Sequence, residues 1–480
     1  MILTVDIGTS TFKSAIFRYD GICAAFTALP LSVQADDRHE ADPRQWLRAF
    51  EESCRRLGSL TGVEALVISG NGPSLVPVTG TPGIDTQLVL DAAPARLWLD
   101  RRAEKAAAEV TAVIGAFVDP GFFLPKALAI KNDEPALYEK TKRFLYCPEY
   151  LAYALTGEAR TVFPSEGFDR WYWNAAVLEK LALDTQKFPL FISPGDIIGT
   201  LLPSVAAHFG FKKNIPVIAG GPDFFVSILG SGVVAPGQVC DRSGTSEGIN
   251  VCTEKRIFDP GLMSYGHPVK PFWNLSGIIS TTGKAVDWAR ELLGLDATEQ
   301  GYGEFFRLAG SCEAGAGGLL FLPYLAGERA PIWDPHARGV FLGLSLSTGR
   351  AELARAVIEG ICFAIRDVIT VMENAGEITE RVKVQELRVS GASAGNEILN
   401  RIKADVLGRN VLSPVQKEAE LLGLAAIAAA AMGKFSSAGE AASAFAQIDK
   451  AWNPDEKKAG LYDRMFAEYR EGYRCLKHLF

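Results

Sequence analysis

A short cluster of acidic, hydroxyl and basic side chains follows the first apolar run of the chain. The run at residues 2–5 is interrupted by Asp6, Gly8, Thr9 and Ser10, and Lys13 lies in the next apolar segment. This pattern predicts two strands joined by a tight turn. Glycine allows a ligand to approach the backbone, and the hydroxyls and the ammonium can donate to phosphate oxygens. We therefore expect a phosphate site with Asp6 organising hydrated magnesium, the alternative being an ordinary Asp-Gly turn.

A second copy of the triplet lies almost half a chain away. Residues 241–246 read DRSGTS, which places Gly244, Thr245 and Ser246 in a second turn of the same type. A repeat at this separation indicates two duplicated domains rather than a solenoid. Two predicted phosphate-binding turns, one in each half of the chain, resemble the arrangement of the actin, Hsp70 and sugar-kinase superfamily.

Polar residues also follow other predicted strands, where ligands sit in open α/β sheets. Asp223 comes after two glycines at the end of a predicted strand and is followed by Phe224. Asn71 and Ser74 lie in the loop after the predicted strand at 63–69. These residues are candidates for a substrate site.

Trp98 and Asp100 precede a predicted helix and could form one wall of a sugar site. The indole offers an apolar surface to a sugar face, and the carboxylate can accept from hydroxyls. A core tryptophan at the start of a helix, with solvated charges behind it, is the alternative.

Glycine-rich turns in the second half can present amide groups to a nucleotide. Gly283 lies between a predicted strand and a predicted helix. The turn that contains Gly391 and Ala392 precedes a helix starting near Asn396. The same turn occurs in many α/β proteins that bind no nucleotide.

Length and composition restrict the class of protein. A chain of 480 residues predicts about two to four domains. The formal net charge is −7, and without a basic stripe we expect no nucleic-acid partner. The eight cysteines contain no CxxC pair, so we expect a cytoplasmic protein with neither a zinc site nor a disulfide framework. Because the most apolar run, 421–432, is too short to span a bilayer, we expect no membrane association.

Read in order, these motifs resemble the FGGY carbohydrate kinases, and within them the xylulokinase-like branch. The similarity runs nearly from end to end and includes DIGTSTFK, RLWLDRRA, GGPD and GTS. The most specific element is GLLFLPYLAGERAPIWDPHARGVFLGL, at residues 318–344, and SGASAGNEILNRIKADVLG resembles the adenosine loop of that family.

The resemblance implies an α/β protein with two RNase-H-like domains around an ATP cleft. Residues 1–236 would bind mainly the sugar, and residues 237–480 would bind mainly ATP. Asp223 would be the catalytic base and, with Asp6, would organise magnesium through water. The implied phosphate and nucleotide contacts are Gly8, Thr9, Ser10, Lys13, Gly244, Thr245, Ser246, Gly283, Gly391, Ala392 and Asn396. The implied sugar contacts are Asn71, Ser74, Trp98, Asp100, Asp223 and Phe224.

Two departures from the family pattern concern the acceptor. Residues 71–74 read NGPS where xylulokinase-like members carry a Gln-Met-His-Gly type of loop, and Phe224 stands where a polar Asn is typical. Both changes remove hydrogen-bonding groups that discriminate between hydroxyls. The expected substrate is a ketopentose such as xylulose, with another ketose or a polyol as the alternative.

A different class of protein uses the same scaffold. ATP-driven clamps and filaments share the two-domain architecture, and fold by itself does not assign function. A non-sugar clamp therefore stays as an alternative to a kinase. The sequence leaves the oligomeric state open, and a homodimer is one of the states that it permits.

Overall fold

The structure is a computed structural model that describes residues 1–33, 38–84, 87–377, 381–391 and 394–480. The strands are β1 Ile2–Ile7, β2 Thr11–Phe17, β3 Cys23–Pro30, β4 Glu40–Ala41, β5 Ala65–Gly70, β6 Val76–Val78, β7 Gly83–Ile84, β8 Leu88–Val89, β9 Ala95–Arg96, β10 Arg143–Leu145, β11 Arg160–Val162, β12 Leu190–Ile192, β13 Ile197–Thr200, β14 Pro216–Pro222, β15 Gln238–Ser243, β16 Glu247–Thr253, β17 Met263–Gly266, β18 Trp273–Ile279, β19 Leu320–Leu322, β20 Val340–Leu342, β21 Glu386–Gly391, β22 Asn410–Pro414 and β23 Ile448–Trp452.

The α-helices of the described residues are α1 Arg44–Leu57, α2 Glu104–Ile114, α3 Phe123–Asp133, α4 Pro135–Lys140, α5 Cys147–Thr156, α6 Ala175–Lys180, α7 Pro203–Phe209, α8 Asp223–Gly230, α9 Gly283–Leu292, α10 Glu299–Ser311, α11 Arg350–Asn374, α12 Glu397–Leu407, α13 Ala419–Ala431, α14 Ala438–Phe445 and α15 Ala459–Leu476. None of these helices is both long enough and apolar enough to cross a membrane.

The chain forms two compact units. Unit 1 comprises Met1–Gly230 and Glu420–Phe445, and unit 2 comprises Ser231–Ala419 and Ala446–Phe480. This division differs from the two continuous domains that we expect from the sequence, because α13 and α14 belong to unit 1. Helix α13 is rich in Ala and Leu around its whole circumference, so it needs burial on every side.

A mixed six-stranded sheet forms the centre of unit 1. Its strand order is β13-β14-β5-β1-β2-β3. The first three strands in sequence form an antiparallel meander, and β5 and β14 add parallel to it. Strands β1 and β5 are buried along their whole length, as their nearly continuous runs of Val, Ile and Leu require. The carboxyl ends of β1, β5 and β14 therefore meet at one edge of the sheet.

Unit 2 repeats this arrangement. Its seven-stranded sheet has the order β17-β18-β16-β15-β21-β22-β23. Strands β15, β16 and β18 form the antiparallel meander, and β21 and β22 add parallel to it. The long helix α11 is largely buried in the core of this unit. The repetition confirms the predicted pair of related α/β domains.

Helix α13 packs directly on the backbone of α8. A Cβ atom built on Gly423 would lie 1.9 Å from the carbonyl oxygen of Val226 and 3.0 Å from the amide nitrogen of Gly230. The next residue, Leu424, lies close to Gly220 in β14. A Cβ atom built on Gly220 would be 2.3 Å from Cδ2 of Leu424. The glycine at 423 thus brings the start of α13 to the edge of the sheet where β14 ends.

We expect Gly423→Ala to destabilise the protein, because the added methyl group has to displace backbone atoms. Overpacking of this kind costs about 1–3 kcal/mol or more. Gly303→Ala, in the exposed face of α10 where nothing lies within 4 Å, is the matched control. It should stabilise by about 0.4–1 kcal/mol, since alanine restricts the unfolded chain. Urea unfolding of both variants measures the difference, and equal stabilities would contradict the packing described.

Candidate active site

The first predicted turn joins β1 to β2 at the edge of the unit 1 sheet. The N–H of Gly8 donates to the carbonyl oxygen of Thr11 at 2.9 Å, and a Cβ on Gly8 would lie 2.8 Å from that oxygen. Only glycine fits this tight closure without a shift of the backbone. Thr9 and Ser10 are partly or fully exposed at the tip. Because the amide of Gly8 is already used, the turn offers a phosphate mainly the groups of Thr9 and Ser10.

Asp6 lies buried at the end of β1, close to two other acids. Its carboxylate is 4% exposed and accepts a hydrogen bond of 2.7 Å from the Ser69 hydroxyl. Burial, followed by the negative charges of Glu420 and Asp223, raises the pKa of Asp6 to about 7. The Ser69 hydrogen bond and the charge of Lys13 act in the opposite direction. The edge of the sheet thus carries a concentration of negative charge that a cation would offset.

Asp223 is the first residue of α8, immediately after β14. The residue is half-buried, and its Oδ1 accepts a hydrogen bond of 2.7 Å from the Phe224 amide. One end of the side chain is therefore anchored at the start of the helix. This placement matches the sequence-based expectation of a carboxylate at the end of a strand.

Glu420 is an acid that sequence analysis missed. It lies in the first turn of α13 and is 7% exposed. Nothing in the local pattern around it indicates a site, because the run that follows is that of a buried helix. Only the return of the chain into unit 1 brings Glu420 close to Asp6.

The donor set fits a hydrated magnesium ion held by few protein ligands. In the described part of the chain, no group of three or more His, Cys, Asp or Glu side chains could hold a metal ion directly. Magnesium commonly keeps several waters and binds through one or two carboxylates together with substrate phosphates. Asp6 and Asp223 are of the right chemical type for such a site.

The loop after β5 turns its polar groups into the protein. The Asn71 amide group donates to the carbonyl oxygen of Ile7 at 2.9 Å, and its Oδ1 is buried without a hydrogen-bond partner among the described residues. Ser74 is fully buried, and its Oγ accepts from the Cys147 amide at 3.0 Å. Ser74, a predicted sugar contact, is therefore enclosed and used internally in this structure.

The predicted pair Trp98 and Asp100 separates into two different environments. Trp98 is 39% exposed, and its indole N–H donates to the Thr9 hydroxyl oxygen at 3.1 Å. Asp100 is 1% exposed and accepts hydrogen bonds of 2.9 and 2.7 Å from the Arg102 guanidinium. Although burial raises the pKa of Asp100, the hydrogen bonds and charge of Arg102 outweigh it and hold that pKa below its ordinary value. Trp98 keeps an accessible face beside the first turn, whereas Asp100 is buried and already paired with the exposed Arg102.

Lys126 connects the segments that carry Asn71 and Trp98. Its Nζ donates to the carbonyl oxygens of Pro73 at 3.0 Å and Leu97 at 2.6 Å. Burial lowers the pKa of this lysine, which is 1% exposed, to about 7. A lysine inside the apolar helical run FLPKALAI was the one signal in the sequence for this connection.

Aromatic rings extend from the residue after Asp223. Phe224 is half-buried and stacks on Phe168, with ring centroids 5.9 Å apart and an interplanar angle of 27°. Phe168 in turn meets Trp171 edge to face at 5.1 Å. The neighbourhood of Asp223 on this side is apolar, as the sequence predicts.

In unit 2 the second turn joins β15 to β16 and lies against the start of α9. Its tip residues Gly244 and Thr245 are exposed, and Ser246 is half-exposed. The N–H of Gly283 donates to the Gly244 carbonyl oxygen at 3.1 Å, and a Cβ on Gly283 would lie 2.2 Å from that oxygen. The Thr282 N–H donates to the Thr245 carbonyl oxygen at 3.3 Å. The start of α9 at Gly283 is therefore hydrogen-bonded to the backbone of the turn.

Gly391 ends β21 beside the same turn. It has φ of +79°, and a Cβ there would lie 2.1 Å from the Ser243 carbonyl oxygen. Ala392, which is also a predicted contact, lies outside the described residues. Asn396 caps α12, because its Oδ1 accepts from the Leu399 amide at 2.9 Å, and its NH₂ group is not needed for the cap. The predicted phosphate turn and the predicted adenosine loop thus meet at one edge of the unit 2 sheet.

Each of the two related α/β units carries a hydroxyl-bearing turn at the edge of its sheet, and unit 1 also holds a group of carboxylates. Phosphoryl transfer uses side chains of these types. Comparison with known proteins identifies the family. Residues 1–230 match the N-terminal domain, and residues 242–432 the C-terminal domain, of the FGGY family of carbohydrate kinases.

Individual relatives agree with these family models. The chain is 30% identical over 431 residues to a xylulose kinase of Escherichia coli, with 86% of each protein covered. It is 29% identical over 401 residues to a glycerol kinase of Thermococcus kodakarensis, covering 79% of this chain and 77% of that protein. A crystal structure of a xylulose kinase from Rhodospirillum rubrum is similar with a TM-score of 0.82 at 25% identity, over 99% of both chains.

The chain therefore belongs to the FGGY family of carbohydrate kinases. It is an ATP-dependent sugar kinase, and the predictions of family, fold class and enzyme class are confirmed. The class alternative, a non-sugar clamp, receives no support from these matches.

We expect the raised pKa of Asp6 to make the stability of the nucleotide-free protein depend on pH. The folded protein holds the Asp6 proton more tightly than the unfolded chain, so the free energy of unfolding contributed by Asp6 falls as the pH rises from 3.8 to about 7. Asp6→Asn removes this loss. The variant should therefore gain stability relative to the wild type across that window, by a few kcal/mol at most.

Urea unfolding at several pH values between 4 and 8 measures this difference. Asp20→Asn, in an exposed ion pair with Arg18, is the matched control and should follow the wild-type curve. A stability difference for Asp6→Asn that is the same at all pH values would contradict the expectation.

Proposed function

We propose that this kinase transfers the γ-phosphoryl group of ATP to a hydroxyl of a small ketose, with Asp223 as the general base and D-xylulose as the first acceptor to test. The observation that carries the proposal is the half-buried carboxylate of Asp223 at the start of α8, close enough to the buried carboxylate of Asp6 to raise its pKa. Phosphoryl transfer requires little more than positioning, charge neutralisation and a group that accepts the proton of the attacking hydroxyl.

In the proposed reaction, the oxygen of the acceptor hydroxyl attacks the γ-phosphorus of ATP while Asp223 takes the hydroxyl proton. ADP is the leaving group. Thr9 and Ser10 in unit 1, and Thr245 and Ser246 in unit 2, would donate to phosphate oxygens. Their exposed positions at the tips of the two turns support this role. Lys13, which faces Asp6 across the β1–β2 ladder, adds positive charge on the same side.

Magnesium would neutralise phosphate charge on the nucleotide, and Asp6 and Asp223 would hold it through water. The negative charge that raises the pKa of Asp6 supports this placement. Glu420 adds to that charge from α13. Protein ligands of this kind would bind the ion together with ATP rather than in a cage of their own.

The relatives and the residues near Asp223 both bear on the identity of the acceptor. Sequence identity alone does not select the acceptor, because this chain is 30% identical to the matched xylulose kinase and 29% identical to the matched glycerol kinase. The xylulose kinase of Escherichia coli is matched over more of this chain than the glycerol kinase of Thermococcus kodakarensis, 86% against 79%, which favours a ketose. The enclosed Ser74 and the apolar ring of Phe224 leave fewer polar groups for the acceptor than a xylulokinase-like pocket would have. Another ketose or a polyol is therefore the alternative acceptor.

We also propose that the enzyme works in the cytoplasm. All eight cysteines lie in the described part of the chain, and every one is a free thiol. Reduced thiols are typical of proteins in reducing compartments.

Asp223→Asn tests the proposed base. The amide keeps the shape and can still be oriented at the helix start, but it cannot take the proton, so turnover should fall by about 10²–10⁴-fold while both ligands still bind. Asp20→Asn, in the turn between β2 and β3, is the same chemical change without an expected effect on turnover. Sugar-stimulated ADP release and the melting temperature are measured for both variants. A stable Asp223→Asn enzyme with wild-type turnover would eliminate Asp223 as the base.

A panel of ketoses and polyols tests the acceptor. D-xylulose should stimulate ADP release by the wild type, and Phe224→Asn should shift the ratio of catalytic efficiencies toward acceptors with more hydroxyl groups by about tenfold or more. Phe117→Asn, which changes a ring that is 72% exposed elsewhere in unit 1, is the control and should leave the ratio unchanged. Stimulation by a polyol but by no ketose would establish the alternative, and no stimulation by any member would reject the proposed acceptors.

A further inference from the structure

A buried group of three charged residues lies directly behind the second phosphate turn. Lys403, on α12, sits between Asp241 on β15 and Glu247 on β16. Their side chains are 1%, 0% and 4% exposed. The Lys403 ammonium donates to Asp241 Oδ2 and, at 2.9 Å, to Glu247 Oε1. The three charges are thus inside the core of unit 2.

Stability alone does not explain this arrangement. Removing three charges from water is costly, and apolar residues of similar volume often serve a core equally well or better. The Oδ1 atom of Asp241 is also buried with no hydrogen-bond partner among the described residues. Because two carboxylates share one ammonium, burial and the charge of Glu247 raise the pKa of Asp241 well above its usual value.

The position of each partner relates the triad to both ends of the proposed nucleotide site. Asp241 lies three residues before Gly244 on β15, and Glu247 follows the turn and pairs with Ser243 across the ladder. Asn396 caps the start of α12, and Lys403 lies about two turns further along that helix. The ammonium therefore connects the helix that begins at the predicted adenosine loop to both strands that carry the phosphate turn.

We propose that Lys403 is a positioning residue for the nucleotide, which fixes the phosphate turn at residues 244–246 relative to Gly391 and to Asn396 at the start of α12. The proposal rests on the nucleotide contacts of the proposed function. Directional hydrogen bonds from one ammonium to the two flanking strands hold the turn in one geometry. Loss of those bonds releases the turn and weakens ATP binding, while the sugar contacts in unit 1 are unchanged.

The experiment compares Lys403→Met with the compensated variant Asp241→Asn/Glu247→Gln/Lys403→Met. The single variant leaves two buried carboxylates and should lower the melting temperature strongly. The compensated variant removes all three charges and should regain most of that loss. Its dissociation constant for ATP, measured by calorimetry without any acceptor, should nevertheless rise roughly tenfold, since the turn has lost its fixed geometry.

Two further variants keep the result interpretable. Glu247→Gln keeps the shape of the side chain and the Lys403–Asp241 pair, so it should fold and weaken ATP binding by about threefold. Arg355→Met breaks another buried ion pair in unit 2, between Arg355 and Glu359 on α11 at 2.6 Å. This control should lose stability with no change in its affinity for ATP.

Wild-type affinity for ATP in the compensated variant would overturn the proposal, because the triad would then be a structural feature only. Equal weakening of ATP binding by Arg355→Met would overturn it as well, since general destabilisation would explain the effect. ATP binding is measured without a sugar, so an error in the proposed acceptor does not affect this test. A wild-type protein that fails to bind ATP would overturn the nucleotide assignment together with this proposal.

Discussion

Asp6 lies near the end of β1, a strand that is buried along its whole length. Two further acids, Glu420 and Asp223, lie close enough to raise the pKa of Asp6. A buried carboxylate among like charges is costly unless a cation or a proton offsets it. The fold places this cost at the edge of the sheet where the turn of Thr9 and Ser10 also lies. The buried negative charge and the hydroxyl groups of this turn therefore lie at the same edge of the sheet, which is the arrangement that the proposed placement of magnesium and phosphate requires.

Close backbone contacts build the two edges on which the proposed site depends. Gly423 lets α13 approach the backbone of α8, which brings Glu420 beside Asp6. Gly283 and Gly391 leave room for the carbonyl groups of Gly244 and Ser243 in unit 2. A side chain at any of these glycines would meet main-chain atoms at less than 3 Å, and such atoms cannot move independently of the sheet. The proposed catalytic geometry is therefore sensitive to residues that have no chemistry of their own.

Local pattern was sufficient for the parts of the site that lie within one short segment. The two glycine-containing turns, the strand that precedes Asp223 and the helix that starts after Asn396 were all predicted, because hydrophobic runs and turn residues act over a few positions. Asp100 shows the limit of this reasoning. A polar residue beside an exposed tryptophan has the composition of a sugar site, but its ion pair with Arg102 is visible only in three dimensions.

The sequence by itself determined the family, the duplicated α/β architecture and the residue types at the two turns, since these depend on periodicity and on motifs that are contiguous in the chain. Only the tertiary structure decided which distant groups share an environment. Glu420 reaches Asp6 because the chain returns to unit 1, Ser74 is enclosed by Cys147, and Lys403 meets Asp241 and Glu247 inside unit 2. Burial and electrostatic coupling depend on distance in space, and residues far apart in sequence carry no local signal of that distance.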